Sequence, residues 1–203
     1  DIQEQKQQEE EQRRKNTTDG VTGLPVFSAG MEQIRALRGS CPQGVMVSLF
    51  LDKLRENNEK NGIVFGDMIL EEIGSMLREA AGDLARRTGH KTAALRLNQD
   101  ELALWLEDAS AEQAAAFVEE LLGRIEAAFD GESFSVHVHA GLSQGGANQS
   151  ADDLVRMARL AAGIPAVSGG RYTFFEDIPA NKREVLPAGA GTDINLPGYG
   201  EDV

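Results

Sequence analysis

Apolar residues recur along this chain with two different spacings, one typical of strands and one typical of helices. A helix is predicted over about 26–38, and the almost continuous apolar run Val45–Leu51 predicts a buried strand. From Asp67 onward the spacing predicts an amphipathic helix, whose apolar face is Ile69, Leu70, Ile73, Met76, Leu77, Ala80 and Leu84. Two short apolar runs, Thr92–Leu97 and Leu102–Leu106, flank a polar turn and predict a β-hairpin.

The second half of the chain continues this alternation of elements. Ser110 and Gln113 have capping-box spacing and predict the start of a helix, whose apolar face is Phe117, Val118, Leu121, Ile125 and Phe129. The strict alternation over Phe134–Leu142 predicts a strand, and Ser150 is expected to cap a further helix before a last strand at Arg171–Phe175. This order predicts an α/β fold with an antiparallel element in its sheet.

Both ends of the chain lack such patterning. The N-terminal stretch is almost wholly polar, with Ile2 as its single large apolar residue, and it predicts a solvated helix or the end of a signalling helix. From Pro187 the chain is rich in Gly and Pro, which predicts a flexible tail. The predicted organisation is a linker helix over 1–18, one domain over 19–178 and a flexible tail over 179–203.

Composition and charge exclude several classes of function. The chain has 203 residues and is 41% apolar, enough for one sizeable core. Its net charge of −13 argues against nucleic-acid binding, which needs clustered Lys and Arg. The single cysteine, Cys41, suits a reducing cytosol. The sequence contains no apolar run of about eighteen residues, so we expect no membrane span in it. We therefore expect a cytoplasmic domain, and the start at Asp1 suggests part of a longer protein.

Candidate chemistry centres on the segment Arg96–Leu102, which reads Arg-Leu-Asn-Gln-Asp-Glu-Leu and is here called the signature hairpin. Three other segments stand in a fixed order around it: Asp19-Gly20-Val21-Thr22-Gly23-Leu24, the spaced set Asn58, Gly62, Gly66 and Asp67, and His139-Ala140-Gly141-Leu142. Together they resemble the GGDEF domain, the bacterial module that condenses two GTP into cyclic di-GMP. The resemblance covers about residues 19–176 and implies a nucleotidyl-cyclase-like α+β sandwich, with a central, mostly antiparallel sheet flanked by helices.

The resemblance also implies a role for each matched position. Asn58 and Asp67 correspond to the residues that read the guanine edge in the family, although Asp67 also suits a helix start. The family's first strand carries an Asp that holds magnesium ions, and Phe50 stands at that position. Phenylalanine cannot ligate a hard cation, so we expect no metal and no cofactor. If Mg²⁺ is retained, Asp52 and Asp100 are its candidate ligands; a two-residue shift of the alignment would place Asp52 at the metal position.

Further departures lie at the phosphate-binding positions. Asn98 and Gln99 replace the glycine pair of the family, and their side chains take up space that the phosphates need. Asp100, Glu101 and Leu102 remain as a relic of the signature. Ala166 stands at the position of the family's phosphate-binding lysine, so that lysine is missing. The preceding residue, Pro165, is expected to shorten the helix. No residue is therefore expected to be catalytic.

We also expect no counterpart of the family's product-inhibition motif, R-x-x-D, because Gly89 and Thr92 stand at its positions. Arg86 and Arg87 lie nearby and offer either a substitute anion contact or, more simply, a solvated helix end. His137 and His139 alternate on one strand face but have no third ligand at metal-site spacing.

The sequence therefore predicts a catalytically inactive GGDEF-like domain, serving as a signalling or protein-interaction module in cyclic di-GMP-related regulation. Its expected partners are another protein, an upstream sensor domain or a second copy of the chain. Two alternatives stay open. One is a guanine-nucleotide-binding allosteric domain that uses Asn58 and Asp67 without turnover. The other is an active diguanylate cyclase with atypical metal ligation through Asp52, Asp100 and Glu101.

Overall fold

The computed structural model describes residues 1–131, 136–164 and 170–183, with side chains at all of these positions except Arg14 and Lys15. The helices are α1 (Ile2–Thr17), α2 (Phe27–Ser40), α3 (Leu54–Asn61), α4 (Ile63–Thr88), α5 (Ala111–Ala128), α6 (Ala151–Ala162) and α7 (Ala180–Arg183). The strands are β1 (Gly44–Asp52), β2 (Thr92–Arg96), β3 (Glu101–Glu107), β4 (His137–Gly145) and β5 (Tyr172–Phe174).

These strands form one sheet in the order β2-β3-β1-β4-β5. Neighbouring strands are antiparallel except for β4 and β5, which run parallel. The predicted hairpin is confirmed, since β2 and β3 pair with Arg96 opposite Leu102. The sheet is thus mostly antiparallel and flanked by helices, as the sequence predicts.

The sheet separates two apolar cores. One face of β1 packs against α4 and α5 through alternate side chains, namely Val45, Val47, Leu49 and Leu51. On the other face, Met46 and the fully buried Trp105 pack against α2 and α6. Because helices cover both faces of this central strand, its sequence is almost continuously apolar instead of alternating.

The helix starts that the capping residues predict are confirmed. At α5 the Ser110 hydroxyl accepts a hydrogen bond from the Gln113 backbone N–H at 3.1 Å, and the Gln113 side chain accepts one from the Ser110 N–H at 2.9 Å. Ser150 and Asp153 form the same reciprocal arrangement at the start of α6. Each arrangement satisfies backbone donors that the first helical turn leaves without partners.

The long helix α4, however, begins earlier than predicted, at Ile63 instead of Asp67, and the unpredicted helix α3 precedes it. Gly62 separates the two helices with φ 89° and ψ 158°, a conformation that favours glycine. Ile63 and Val64 are 70% and 72% exposed, so these two apolar residues of the first turn add nothing to the buried face. The apolar period becomes visible only after this turn, and Asp67 lies inside the helix.

The predicted strand Phe134–Leu142 also differs from the observed β4, which continues to Gly145; Phe134 lies outside the described residues. Residues 140–143 of β4 are all buried, because this part of the strand lies between two neighbours and under α6. The alternation seen in the sequence therefore applies only to its exposed beginning.

At the N-terminus, the predicted polar helix is present as α1, and every side chain described for it is exposed. A single backbone bridge between Thr18 and Pro25 closes the turn that connects this helix to the domain. The predicted tail from Pro187 lies outside the described residues, and the domain limits at 18 and 178 stay predictions. None of the helices in the described ranges has both the length and the apolar character that a bilayer span requires.

Candidate functional site at the hairpin end of the sheet

Three side chains form a row across one face of the sheet. Phe50 in the central strand pairs with Glu101 on one side and with His139 on the other. Directly opposed residues of antiparallel strands project to the same face, so these three side chains are neighbours. The rings of Phe50 and His139 stack with their centroids 6.5 Å apart. An aromatic side chain therefore stands immediately beside the carboxylate of the signature hairpin.

Asp52 lies farther along β1 and pairs across the sheet with His137. Its Oδ2 is 3.4 Å from Nε2 of His139, and both side chains are nearly half exposed. Asp52 thus contacts the β4 side of the row, whereas Glu101 lies on the β3 side, opposite Phe50. His139 consequently acts as a polar neighbour of Asp52, a contact that the sequence does not predict.

Glu101 is held by an arginine from helix α6. Nε and Nη2 of Arg159 donate to the two carboxylate oxygens at 2.5 and 3.2 Å, a bidentate pair. The Glu101 side chain is 16% exposed and that of Arg159 30%. Helix α6 can approach this closely because β4 has Gly141 beneath it, where a Cβ atom would lie 1.9 Å from the carbonyl oxygen of Ala158.

The turn of the signature hairpin keeps its shape without glycine. The Arg96 guanidinium donates to the carbonyl oxygens of Asn98 and Gln99 at 3.0 and 2.9 Å. The Asn98 side chain accepts a hydrogen bond from the Asp100 N–H at 3.1 Å, an Asx-type turn. In the described part of the chain, only Lys53 and Asp108 among non-glycine residues have positive φ, so Asn98 and Gln99 need no left-handed conformation.

Arg96 also joins the signature hairpin to the N-terminal turn. Its Nη1 donates to Oδ1 of Asp19 at 3.0 Å, and both side chains are almost buried. Thr22 donates two further hydrogen bonds to the same carboxylate. Burial alone would raise the pKa of Asp19, but the hydrogen bonds from Thr22 and the charge of Arg96 outweigh burial and lower it. Two segments that the sequence treats as separate motifs thus form one charged contact.

Asp100 is the carboxylate of this hairpin whose pKa is raised in the folded protein. Burial raises its pKa, and the adjacent charge of Glu101 raises it further; Arg159 and Arg96 offset only part of this effect. Its carbonyl oxygen accepts a hydrogen bond from the Leu51 N–H at 2.8 Å, which ties the turn to the central strand. Asp100 is therefore placed by its backbone, and its side chain has no salt bridge of its own among those of the described residues.

These residues do not fit a magnesium site. Within the described ranges, no three side chains of His, Cys, Asp or Glu are grouped so that they could hold a metal. The Asp52 carboxylate contacts His139 and the Glu101 carboxylate is bound by Arg159, so each already has a partner within the chain. Mg²⁺ requires near-octahedral oxygen ligands, which an aromatic side chain cannot supply.

The two positions matched to guanine recognition lie where α3 meets α4. The Oδ1 atom of Asn58 is buried and has no hydrogen-bond partner. It contacts Gly66 so closely that a Cβ atom there would lie 1.7 Å away. Asp67 follows on the next residue of α4 and is partly exposed. This corner therefore contains a buried hydrogen-bond acceptor without a donor. Such a group lowers the free energy of unfolding by about 1–3 kcal/mol.

The structure places the remaining candidates away from this site. Gly89 and Thr92 lie at the far end of α4, near a cavity of about 250 Å³ whose floor includes Leu84, Leu106 and Phe117. Arg87 also lines this cavity, whereas Arg86 pairs with Asp83 on its own helix. The residue that sequence reasoning missed is Arg159. The sequence signal for it is a charge reversal: in the late helix of the GGDEF domains that this chain resembles, an acidic residue stands at the position of Arg159.

Comparisons with known proteins agree with this architecture. The family model described as diguanylate cyclase, GGDEF domain, matches residues 16–163. Among curated proteins none matches the chain.

Several solved structures share the fold. The coiled coil and GGDEF domain of DgcB from Caulobacter crescentus, in complex with c-di-GMP, is 19% identical with a TM-score of 0.69, and the match covers 79% of this chain and 86% of that one. The GGDEF domain of FimX from Pseudomonas aeruginosa is 19% identical with a TM-score of 0.62, covering 72% and 91%. Diguanylate cyclase SiaD from the same organism, in complex with its activator SiaC, is 19% identical with a TM-score of 0.62, covering 79% and 63%. The predicted fold class is confirmed.

Proposed function

Because this chain belongs to the GGDEF family of diguanylate cyclase domains, we propose that it is a catalytically inactive member that serves bacterial regulation by cyclic di-GMP. In this proposal it acts in the cytoplasm as a signalling and protein-interaction module. The fold is then retained for its surfaces and not for turnover.

The row formed by Glu101, Phe50 and His139 is the observation that carries this proposal. Transfer of a nucleotidyl group depends on metal ions that neutralise the phosphates and activate the attacking hydroxyl. The position beside Glu101 on the central strand is aromatic, and the carboxylate itself is bound by Arg159. Both features support the loss of catalysis.

Two features support a role in protein contacts. Helix α1 exposes every described side chain and leads directly into the domain through the bridge between Thr18 and Pro25. The net charge of −13 favours partners with basic or mixed-charge surfaces. The complex of SiaD with SiaC is an example of a GGDEF protein that engages a protein activator. We accordingly propose a protein partner, an upstream sensor domain or a second copy of the chain as the binding partner.

A second function is favoured by the buried, unpartnered Oδ1 of Asn58. A guanine ring presents N–H donors that could satisfy this acceptor, and Asp67 lies nearby to accept a second hydrogen bond. In this alternative the domain binds a guanine nucleotide as an allosteric signal without converting it.

One titration separates these functions. The protein is titrated with GTP and Mg²⁺ by calorimetry, and the same samples are analysed chromatographically for cyclic di-GMP. We expect no product. Heat of binding without product supports the nucleotide sensor, and binding should then weaken in Asn58→Ala and Asp67→Ala but not in Asp83→Ala, a control on the same helix.

The remaining outcomes are equally informative. Formation of cyclic di-GMP would overturn the proposal and would indicate metal ligation through Asp52, Asp100 and Glu101. A flat titration leaves the interaction module, which is then tested with light scattering for self-association of the domain.

A further inference from the structure

At the signature hairpin, Glu101 forms a charge pair with an arginine of the same chain, Arg159. The Arg159 guanidinium contacts both oxygens of Glu101, at 2.5 and 3.2 Å, and the carboxylate is largely shielded from solvent. The two residues are separated by 58 positions in the chain, so this contact exists only because α6 packs onto β4 at Gly141. The contact is therefore built into the packing of the domain.

The other carboxylates near this row have weaker compensation. Asp100 is partly buried beside Glu101, and the charge of Arg159 partly offsets the repulsion between them. Asp52 contacts His139 on the opposite side of Phe50. Arg159 is thus the cation that serves both acidic residues of the signature hairpin, from one fixed position.

We propose that Arg159 is a built-in counter-ion that takes the place of a divalent cation at Glu101, so that Mg²⁺ neither binds to the signature hairpin nor stabilises it. This goes beyond the loss of catalysis, because an inactive domain could still bind Mg²⁺ through its acidic hairpin. A guanidinium carried on α6 cannot dissociate, and its planar donors match a carboxylate in two places. The hairpin is therefore held in one arrangement at any concentration of divalent cation.

Removal of this arginine creates the opposite situation. Without Arg159, the carboxylates of Asp100 and Glu101 lie next to each other, and among the described residues the compensating charge that remains is Arg96, which already pairs with Asp19. A cation from solution is then attracted to the pair. The expected sign of the metal effect thus depends on this one side chain.

The test measures Mn²⁺ binding by electron paramagnetic resonance and thermal unfolding with millimolar Mg²⁺ or with chelator. Wild type should bind no Mn²⁺ at the hairpin and should unfold at the same temperature in both conditions. Arg159→Met should gain Mn²⁺ binding at the hairpin that wild type lacks, and Mg²⁺ should raise its unfolding temperature. Both gains should disappear in Arg159→Met/Glu101→Gln. Arg156→Met, which removes a partly exposed ion pair on the same helix, should behave as wild type.

Two results would overturn the proposal. One is Mn²⁺ binding by wild type that is lost in the single variant Glu101→Gln, since the hairpin would then hold a metal despite Arg159. The other is an Arg159→Met variant that folds and stays insensitive to divalent cations. If Arg159→Met does not fold, Arg159→Lys provides the measurement, because the retained charge should keep the domain insensitive to Mg²⁺; a gain of Mn²⁺ binding there contradicts the proposal.

Discussion

The two halves of the candidate site differ in how their polar groups are satisfied. At the signature hairpin, Glu101 and Asp19 each have an arginine, and the turn carbonyls have hydrogen-bond donors. At the α3–α4 corner, which comprises residues 58–67, the Oδ1 of Asn58 is buried without a donor. At the hairpin an arginine within the chain neutralises each of these two carboxylates, whereas the buried acceptor at the corner has no donor in the described part of the chain.

The largest expected effect is at Arg96, which holds the hairpin half together. In Arg96→Met, Asp19 loses its counter-charge and two turn carbonyls lose their donor, so the free energy of unfolding should fall by about 3–4 kcal/mol. Urea unfolding measures this loss. Arg55→Met removes an exposed pair on α3 and should change stability by less than about 0.5 kcal/mol. Equal losses in the two variants would contradict the charge-pair account.

The loss in Arg96→Met should also depend on pH. The folded-state pKa of Asp19 is lowered, because the hydrogen bonds from Thr22 and the charge of Arg96 outweigh burial. The stability contributed by the ionised group is therefore complete above the unfolded-state pKa and is lost as the pH falls through the folded-state pKa. The difference in free energy of unfolding between wild type and Arg96→Met should become smaller in acid. A difference that stays constant with pH would contradict a lowered pKa of Asp19 caused by Arg96.

The next effect is expected at Gly141, which sets the distance between α6 and the sheet. A Cβ atom in Gly141→Ala would lie 1.9 Å from the Ala158 carbonyl oxygen and 2.2 Å from the Ala162 nitrogen, so α6 must shift. We expect a loss of about 2–3 kcal/mol in unfolding free energy. The control Gly82→Ala lies within α4, has its nearest contact at 3.6 Å and should stabilise the protein by about 0.5–1 kcal/mol. If both variants were more stable than wild type, α6 would be able to accommodate a Cβ atom at Gly141, contrary to this prediction.

A smaller effect is expected at the α3–α4 corner. Asn58→Ala removes a buried oxygen that has no partner, so the lost packing is offset by relief of an unmet acceptor. The free energy of unfolding should change by less than about 1 kcal/mol in the absence of nucleotide. Chemical denaturation of Asn58→Ala beside Asn61→Ala, at the exposed end of α3, measures the difference. A loss several times larger would mean that Asn58 is a structural residue.

The smallest effect is a gain in Asp100→Asn. Burial, followed by the charge of Glu101, raises the pKa of Asp100 in the folded state. A raised folded-state pKa favours folding below the unfolded-state pKa, and this contribution is lost as the pH rises through the folded-state value. At neutral pH the amide should therefore stabilise the domain, by less than about 1 kcal/mol, and the gain should vanish in acid. Asp177→Asn, an exposed control, should show neither change.

Much of the fold follows from local patterns, and particular residues show where that stops. Ser110 and Ser150 mark helix starts because capping satisfies backbone donors within one turn, which needs no distant partner. The sequence places the start of α4 too late, because Ile63 and Val64 are exposed and do not belong to the apolar face whose helical spacing predicts the helix. For the site, the sequence indicates Phe50 beside a missing metal, but it gives no indication that Arg159 compensates Glu101.

The sequence by itself determined the order of the five strands and of the main helices other than α3, the two capping boxes and the membership of the GGDEF family, because each depends on short motifs or on neighbours within a turn. The tertiary structure alone decided which side chains share the site. The strand register places Phe50 between Glu101 and His139, and the packing of α6 on Gly141 brings Arg159 to Glu101 across 58 positions of chain. Such contacts depend on how two elements pack against each other, and no local period or motif records that geometry.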